Sequence, residues 1–326
     1  MFKKMYLSII VPIYNVEQYI VSCFESLFRQ SLDTALYEVI AVNDGTPDNS
    51  MILVEQYAEK YSNIRIVNKE NGGVSSARNE GIKQAVGDFI LFVDPDDTIA
   101  ENSLIKVYDF LSLAPAVDIL IMRSFVMGSM TERYSWSGIC PARVNMSGVD
   151  VFQKGYSRGS VCGCVFSRKF MIEKQLFFYE ELINGEDTYF FHLSLLHAMR
   201  VCFMELPFYY VFVRVESASK NFSIERIFKF SGNIRLIDEY LTHAELTDRQ
   251  KAILNYVKYS VVSNAVNHYI GLRRYDYWSL KKKIWPIGTL PLSLKYAFIQ
   301  RSKMRLLRFS FPLFFSLCVL KNICRK

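Results

Sequence analysis

The chain has 326 residues, of which 51% are hydrophobic and 15% aromatic. This composition excludes a disordered protein, and the length allows a sizeable core and two or three structural units. The net charge of +7 is unevenly distributed, because residues 281–326 contain eleven Lys or Arg and no Asp or Glu. The first 280 residues therefore hold 28 of the 39 basic side chains beside all 32 acidic ones, so the body is mildly acidic and the tail basic.

Four short, β-branched apolar runs in the first hundred residues predict strands that are buried on both faces. Helical patterns separate these runs: the first follows Asn15, the second covers 49–61 and the third ends before Gly87. Alternation of strands and helices is typical of a parallel α/β sheet. The strands are predicted at 7–13, 37–42, 64–67 and 88–93.

Two helix starts have the pattern of a capping box. In this motif the side chain of the residue before the helix accepts a hydrogen bond from the backbone N–H three residues later, and the side chain there accepts one from the first residue's N–H. Asn15 with Gln18 predicts one at the first helix. Thr247 with Gln250 predicts another before a long amphipathic helix, within a region that is helical in pattern beyond Asn221.

The C-terminal tail, 281–326, mixes its basic residues with large apolar ones, as in LLRFSFPLFFSLCVL (306–320). That mixture favours an anionic membrane surface over nucleic acid. The apolar run after Arg308 has about 12 residues, short of the roughly 20 that a spanning helix needs. The alternative is that the same aromatic residues close a helical core or a dimer. At the other end, the short apolar segment interrupted by Pro12 predicts neither a signal peptide nor an anchor.

Seven cysteines without paired spacing predict reduced thiols in the cytoplasm. The CGC sequence at 162–164 is either a metal or redox pair or two small buried residues. His192 and His197 lack an HExxH pattern and are predicted to be helix residues without a ligand role.

Polar segments follow all four predicted strands. Ligands of parallel α/β sheets bind beyond the carboxyl ends of the strands, so these segments should open onto one crevice. They are PIYN (12–15), NDGTPDNS (43–50), NKENGGVSSARN (68–79) and DPDD (94–97).

The last of these segments places three carboxylates within four positions, at Asp94, Asp96 and Asp97. Three neighbouring acids repel each other unless a positive group joins them. Hard oxygen ligands suit Mg²⁺ or Mn²⁺, and a site with one or two carboxylates normally shares its ion with phosphates. We therefore predict a divalent cation and a diphosphate ligand. The alternative is that one acid caps the next helix and the others are solvated.

Residues in the other segments suit the same kind of ligand. Asp44 can accept hydrogen bonds from a nucleobase, and Tyr14 can stack on it. Gly72 and Gly73 allow the main chain to approach a ligand. Arg78 offers a planar, positively charged guanidinium to the phosphates or the base. Each of these residues could instead stabilise a turn or form a surface ion pair. The prediction therefore depends on their occurring together.

Five segments, in this order and spacing, resemble the family 2 glycosyltransferases with the GT-A fold, of the type that assembles bacterial polysaccharide such as capsule or lipopolysaccharide. The resemblance implies an α/β fold with a Rossmann-like, mostly parallel sheet flanked by helices and a C-terminal helical extension. It divides the chain into a nucleotide-sugar-binding half (1–105), an acceptor and catalytic-base half (106–220) and a helical region (221–326). The segments are SIIVPIYNVEQYIVSCFESLFRQS, VNDGTPDNS, NGGVSSARNEGI, FVDPDD and NGEDTYF.

The resemblance also implies a donor site. Asp94 and Asp96 match the family's DxD motif, with Asp94 nearer the ribose or sugar and Asp96 on a Mn or Mg ion. The residues that would hold the nucleotide sugar, usually a UDP sugar, are Pro12, Tyr14, Asn15, Asp44, Gly73, Arg78, Asp94 and Asp96.

In GED (185–187) the family places the catalytic base, which implies that Asp187 takes the proton of an acceptor hydroxyl as it attacks the anomeric carbon with inversion. Glu186 would be its neighbour or an acceptor contact, and Asp97 and Arg214 would contact the acceptor or the diphosphate. The alternative is that GED is a helix start whose acids complement the helix dipole.

The chain departs from the family pattern at two positions. Phe212 stands where relatives often have Arg, which leaves Arg214 as the nearby cation, and Cys164 stands where relatives commonly have Lys. These departures concern donor or acceptor contacts in the second half of the domain.

The motifs argue against three other classes of enzyme. The sequence has neither the G-x-S-x-G elbow of a serine hydrolase nor a P-loop, and VPIYNVEQ is not the glycine-rich basic loop expected of a nucleotidyltransferase. The remaining alternative is a catalytically silent protein of this fold that binds sugar nucleotide or assists assembly at the membrane. Intact Asp94, Asp96 and Asp187 argue against it.

The predicted partners follow from these inferences. They are a nucleotide-sugar donor, a glycan or lipid-linked acceptor, and anionic lipid at the inner face of the plasma membrane, where the tail would hold a cytoplasmic, peripheral enzyme. No nucleic-acid partner is predicted.

Overall fold

The computed structural model describes six stretches of the chain. Its contacts divide the chain into two compact units. The first unit comprises 1–148, 160–180 and 197–214, and the second comprises 149–159, 181–196 and 215–326. The predicted three-part division by function stays a prediction. The described stretches are 6–114, 116–133, 146–182, 185–213, 224–284 and 310–323.

All eight described strands belong to the first unit and form one mixed sheet. They are β1 (Leu7–Ile13), β2 (Tyr37–Asn43), β3 (Ile64–Asn68), β4 (Phe89–Phe92), β5 (Thr98–Ile99), β6 (Ile119–Val126), β7 (Cys164–Ser167) and β8 (Val201–Val211). The order across the sheet is β3-β2-β1-β4-β7-β6-β8-β5. The first four strands in this order are parallel, as predicted, whereas β7 runs antiparallel to both β4 and β6.

The predicted strands and the helices between them are confirmed to within a few residues. Every position of β1 is buried, as expected of a strand covered on both faces. Register pairs Leu7 with both Tyr37 and Phe89, so the carboxyl ends of the central strands lie side by side. The helices are α1 (Ile20–Phe28), α2 (Ser50–Lys60), α3 (Val74–Gln84), α4 (Leu104–Leu113), α5 (Gly148–Gln153), α6 (Arg168–Glu173) and α7 (Glu186–His197).

The two predicted capping boxes have opposite outcomes. The box at Thr247 is confirmed, since its hydroxyl accepts from the Gln250 N–H and the Gln250 side chain accepts from the Thr247 N–H. The box at Asn15 is wrong: α1 begins at Ile20, and its N-cap, Tyr19, makes no side-chain cap. Asn15 instead adopts a left-handed conformation (φ 53°) and donates its N–H to the Thr46 hydroxyl at 2.8 Å.

The second unit contains the long C-terminal helices α8 (Ile224–His243), α9 (Asp248–Gly271), α10 (Tyr277–Ile284) and α11 (Phe311–Ile323). Apolar side chains of α9, α10 and α11 form one buried cluster, to which α11 contributes three phenylalanines. The aromatic residues of this part of the tail therefore close a helical core, as one of the two alternatives predicted. These phenylalanines are Phe311, Phe314 and Phe315.

The opposite face of α11 is apolar but exposed. Leu313, Leu317 and Leu320 are 51%, 47% and 56% exposed and lie at the spacing of one helix face. Within the described stretches, no helix combines the length and the hydropathy needed to span a bilayer.

Candidate functional site

The acidic segment after β4, residues 94–97, is hydrogen-bonded to residues of β8 and to the residue that follows it. Asp97 is only 4% exposed and accepts a hydrogen bond from the Phe212 N–H at 2.7 Å. The Tyr209 hydroxyl bonds to the Asp97 carboxyl and accepts the Asp94 N–H at 3.0 Å. Asp97 is therefore held among protein groups, and its predicted contact with acceptor or diphosphate would have to compete with them.

The three carboxylates influence one another. Burial raises the pKa of Asp97 to about 8, with the charges of Asp94 and Asp96 adding to the rise and the bonds from Phe212 and Tyr209 opposing it. Asp94 and Asp96 are both partly exposed. The negative charge of this segment is thus concentrated on two accessible side chains.

Arg78 and Asp94 form an ion pair at the carboxyl end of β4. A guanidinium nitrogen of Arg78 lies 2.8 Å from Asp94 Oδ1, and the side chains are 3% and 31% exposed. The guanidinium also lies over the Phe178 ring, 5.1 Å from its centroid. Arg78 extends from the first half of α3, so the helix after β3 and the strand end of β4 are joined at this point.

Asp44, at the end of β2, organises the loop that precedes α3. Its Oδ1 accepts from the Gly72 N–H at 2.9 Å and from the Lys69 ammonium at 2.7 Å, while Oδ2 accepts from the Gly73 N–H at 2.8 Å. Asp44 is 2% exposed. A nucleobase that binds this carboxylate would have to share it with the loop.

Gly73 is the N-cap of α3 and has a positive φ of 86°, which L side chains rarely adopt. A Cβ at this position would meet no described atom within 4 Å. The space beside Gly73 is therefore open, and the N-terminus of a helix favours anionic ligands.

The loop after β1 presents an aromatic side chain to solvent. Tyr14 is 49% exposed, as stacking on a base requires, and Asn15 beside it is also exposed. Pro12, in contrast, is buried within β1 and pairs in register with Val42, so it shapes the strand end.

Asp48 holds the loop after β1 through hydrogen bonds. Burial alone would raise the pKa of Asp48, but hydrogen bonds from Ser50, Thr46 and the Glu17 N–H outweigh it and lower the pKa to about 2. The distances are 2.6 Å to the Thr46 hydroxyl and 2.8 Å to the Glu17 N–H. The loop that carries Tyr14 is thereby tied to the loop after β2.

Asp94 and Asp96 suit a divalent cation shared with a ligand. Among the described residues, no three His, Cys, Asp or Glu side chains are grouped so that they alone would hold a metal ion. Two carboxylates are the number that a site normally supplies when phosphates complete the coordination. Asp94 and Asp96 are separated by one residue, and the charge of each contributes to raising the pKa of Asp97, so a cation bound to them would relieve repulsion in this segment. The residues therefore fit such a cation.

Glu186 and Asp187 lie in the first turn of α7, after Gly185 with its positive φ of 99°. Both are partly exposed. Acids in a first turn complement the helix dipole, so this placement suits the structural alternative as well as a base. Arg214 lies outside the described residues.

His192 lies in a helix, as predicted, and both cysteines of the CGC sequence are buried. His192 is fully buried in α7, where its Nδ1–H donates to the Thr188 carbonyl at 2.7 Å and its Nε2 lies 2.8 Å from the Ser157 hydroxyl. Cys162 and Cys164 are buried and not in a disulfide. Their burial suits the alternative of two small buried residues.

Three residues of the site were missed by the sequence analysis: Lys69, Asn79 and Tyr209. Lys69 and Asn79 lie inside the quoted segment 68–79, and a basic residue beside the two glycines was the available signal for Lys69. Tyr209 is 115 residues from its partner Asp94, and no local pattern connects them.

Comparison with known proteins bears on the fold and the family of the chain. The family described as glycosyl transferase family 2 matches residues 8–176. The minor teichoic acid biosynthesis protein GgaB of Bacillus subtilis is 32% identical over 73% of this chain and 27% of its own length. The poly(ribitol-phosphate) β-N-acetylglucosaminyltransferase TarS of Staphylococcus aureus is 26% identical over 85% of this chain and 46% of its own length. The chain thus spans less than half the length of these relatives.

Solved structures share the fold. Residues 1–349 of S. aureus TarS, in complex with UDP-GlcNAc, superpose with a TM-score of 0.68 at 21% identity, covering 99% of this chain and 93% of that one. The mannosyltransferase PcManGT of Pyrobaculum calidifontis, in complex with GDP-Man and Mn²⁺, gives a TM-score of 0.55 at 15% identity, covering 99% and 88%. At these identities the likeness concerns the GT-A fold alone. Since the family match includes more than half of the residues, the chain belongs to glycosyl transferase family 2.

Proposed function

We propose that the chain is an inverting glycosyltransferase that moves a sugar from a nucleotide-sugar donor, a UDP sugar, to a hydroxyl of a glycan or lipid-linked acceptor in the synthesis of a cell-surface polysaccharide. The observation that carries the proposal is the buried Arg78 guanidinium bound to Asp94 at the carboxyl end of β4. A cation fixed at this edge of a parallel sheet lies where such folds bind phosphorylated ligands.

The donor would bind along the strand ends of the first unit. Tyr14 would stack on the base, and Asp44 would accept from it while holding the loop at Gly73. Asp94 would contact the ribose or sugar, and Arg78 would face the diphosphate. A guanidinium is suited to this role because it stays charged and offers several donors in one plane.

Asp96, with Asp94, would hold a Mn or Mg ion, which stabilises negative charge on the departing diphosphate. Arg78 would add a fixed positive charge to the same leaving group. Preorganised charges of this kind usually make the largest contribution to such catalysis.

Asp187 would be the base. It would accept the proton of the acceptor hydroxyl as that oxygen bonds to the anomeric carbon and the bond to the nucleoside diphosphate breaks on the opposite face. The N-terminal position on α7 supports this role, because the helix dipole favours the deprotonated carboxylate that a base requires. Glu186 would contact the acceptor.

The names of the relatives support a polymer of the teichoic acid type as the acceptor. GgaB is named for teichoic acid biosynthesis, and TarS for transfer of N-acetylglucosamine to poly(ribitol phosphate). A hexose or N-acetylhexosamine is accordingly the sugar proposed here.

The exposed face of α11, formed by Leu313, Leu317 and Leu320, would contact the inner leaflet of the plasma membrane. Lys321, at the end of the same face, is exposed, and the tail around it is rich in basic residues without acidic ones. Apolar side chains bordered by cations suit an anionic lipid surface, where lipid-linked acceptors are presented.

Titration of the chain with UDP-, GDP- and dTDP-sugars in the presence of Mn²⁺, followed by assay of transfer and donor hydrolysis, tests the proposal. We expect one UDP sugar to bind and turn over, and Asp96→Asn to lower turnover by about 100-fold or more because negative charge on the leaving group loses its cation. Asp109→Asn, an exposed acid on α4, is the matched control and should leave turnover unchanged. Binding of a nucleotide sugar without turnover under any condition would favour the catalytically silent alternative.

A further inference from the structure

The hydroxyl of Tyr209, near the end of β8, joins both ends of the acidic segment 94–97. It accepts the Asp94 N–H at 3.0 Å and bonds to the Asp97 carboxyl. The buried Cys162 thiol bonds to the same hydroxyl. Tyr209 is 1% exposed, and all of these residues belong to the first unit. One buried oxygen atom therefore links the first and the last residue of the segment.

The segment 94–97 is itself a closed turn. The Asp97 N–H donates to the Asp94 carbonyl at 3.0 Å, and the Cys23 thiol donates to the same carbonyl at 3.7 Å. At the other end of the turn, the Phe212 N–H donates to Asp97 Oδ1 at 2.7 Å. Bonds to the main chain of the first residue and to the side chain of the last thus hold the turn in place.

The bonds that hold the turn leave the exposed carboxylates at its surface. Asp94 and Asp96 are partly exposed, whereas Asp97 is buried. Asp94 bonds to Tyr209 through its main-chain N–H, while its carboxylate pairs with Arg78 at 2.8 Å. The Tyr209 hydroxyl therefore acts on the main chain from which the Asp94 carboxylate projects.

A shared cation depends on how its ligands are placed. Divalent ions such as Mg²⁺ demand a near-ideal arrangement of their oxygen ligands, so two carboxylates must be held where one ion can reach both. Protein groups that orient metal ligands typically contribute about 10–100-fold to metal affinity. Loss of the Tyr209 hydroxyl would remove one bond from the Asp94 N–H and one from the buried Asp97 carboxyl, which favours rearrangement of the turn.

We propose that Tyr209 is a positioning residue for the divalent cation: its hydroxyl holds the 94–97 turn in the conformation in which Asp94 and Asp96 can share one ion with the diphosphate. This inference rests on the proposed function and adds to it a residue too deeply buried to touch the ion or the substrate. Its loss should raise the Mn²⁺ concentration that nucleotide binding requires.

The test compares Tyr209→Phe with Tyr37→Phe. Tyr37 is also 1% exposed and lies in a strand of the first unit, at the amino end of β2, where its hydroxyl donates to the Leu27 carbonyl at 3.2 Å. Each substitution removes one buried oxygen atom that bonds to the main chain and keeps the ring. The pair therefore separates the place of the lost bond from the loss itself.

UDP binding is measured by calorimetry over a series of Mn²⁺ concentrations. We expect Tyr209→Phe to raise the Mn²⁺ concentration for half-maximal UDP binding by about tenfold or more, and saturating Mn²⁺ to restore UDP affinity to within about threefold. Tyr37→Phe should change neither. An unchanged Mn²⁺ requirement in Tyr209→Phe, an equal rise in both variants, or a loss of UDP affinity that saturating Mn²⁺ does not restore overturns the inference.

Hydrogen exchange gives a readout that depends on neither ligand nor turnover. Peptides that contain Asp94 should exchange faster in Tyr209→Phe than in the unmodified chain or in Tyr37→Phe, and equal exchange in all three proteins would refute the anchoring of the turn. UDP binding by the unmodified chain that does not depend on Mn²⁺ contradicts the cation of the proposed function, and with it this role of Tyr209. A Mn²⁺ requirement that is the same with and without the hydroxyl overturns the role alone.

Discussion

The two units of the chain hold themselves together in different ways. In the first, buried polar groups lie at the strand ends and have several protein partners each, as Asp44 and Asp97 do. In the second, the helices α9, α10 and α11 pack through an apolar and aromatic cluster, and the buried Lys258 of α9 pairs with the partly exposed Asp238 of α8. The difference indicates that polar substitutions in the first unit should disturb ligand binding, whereas truncations in the second should disturb folding.

Asp187 is the exception to this difference, because it lies in the second unit and yet should control activity. We expect Asp187→Asn to lower kcat by about 1,000-fold, since the amide cannot accept the acceptor proton, with little change in UDP affinity. Steady-state kinetics and calorimetry check both parts.

Glu245→Gln, a change at an exposed acid of the same unit, should keep full activity. Turnover by Asp187→Asn at more than about a tenth of the normal rate would assign the base elsewhere.

Phe314→Ala tests how much the helical cluster of the second unit contributes to stability. Phe314 is 2% exposed in the helical cluster, and removal of a buried aromatic ring typically costs about 3–5 kcal/mol of unfolding free energy. Urea denaturation followed by circular dichroism measures the loss, and UDP should still bind below the transition. Leu317→Ala, on the exposed face of α11, should cost less than about 0.5 kcal/mol. Equal losses at the two positions would contradict the packing described for α11.

His192 gives the second unit a pH dependence. Burial lowers the pKa of His192 to about 4, whereas an unfolded histidine titrates near its ordinary value of 6.5. Between these values the unfolded chain binds more protons, so stability is complete above about pH 6.5, falls as the pH decreases toward 4, and loses about 3 kcal/mol in all.

Unfolding free energies measured from pH 7 to pH 4 should show this fall, and His192→Asn should remove most of the pH-dependent part of it. The same slope in both proteins would mean that other groups cause the acid sensitivity.

The smallest expected effect concerns the exposed face of α11. Replacement of Leu317 and Leu320 by Ser should weaken binding of the full chain to vesicles that contain phosphatidylglycerol by about fivefold, because two half-exposed apolar side chains are lost from the contact. Co-sedimentation measures the affinity.

Leu113→Ser is the matched control, since Leu113 is 77% exposed at the end of α4 in the first unit. Unaltered vesicle binding by the double variant would remove this face from the membrane contact.

The sequence predicts local features of this chain well. The four parallel strands were recognisable because burial on both faces produces continuous apolar runs, and the cap at Thr247 because its partner lies three residues away. The predicted cap at Asn15 failed because a distant side chain, that of Thr46, binds the same backbone group.

Long-range pairings explain what the sequence did not predict. Asn79 bonds to the main chain of Phe178 and Tyr209 to that of Asp94, partners about a hundred residues away, and hydrophobic periodicity contains no information about such contacts. The same limit applies to β7, whose four residues carry no signal for the direction in which the strand runs between its neighbours.

The carboxylate of Asp44 binds two successive amides and an ammonium of the chain before any nucleotide arrives. A receptor surface that is already rigid loses little freedom when a ligand docks, so more of the contact energy remains as affinity. Discrimination among bases would then come from the fixed shape of the 69–73 loop, and a base of different outline would be rejected because the loop does not adapt to it.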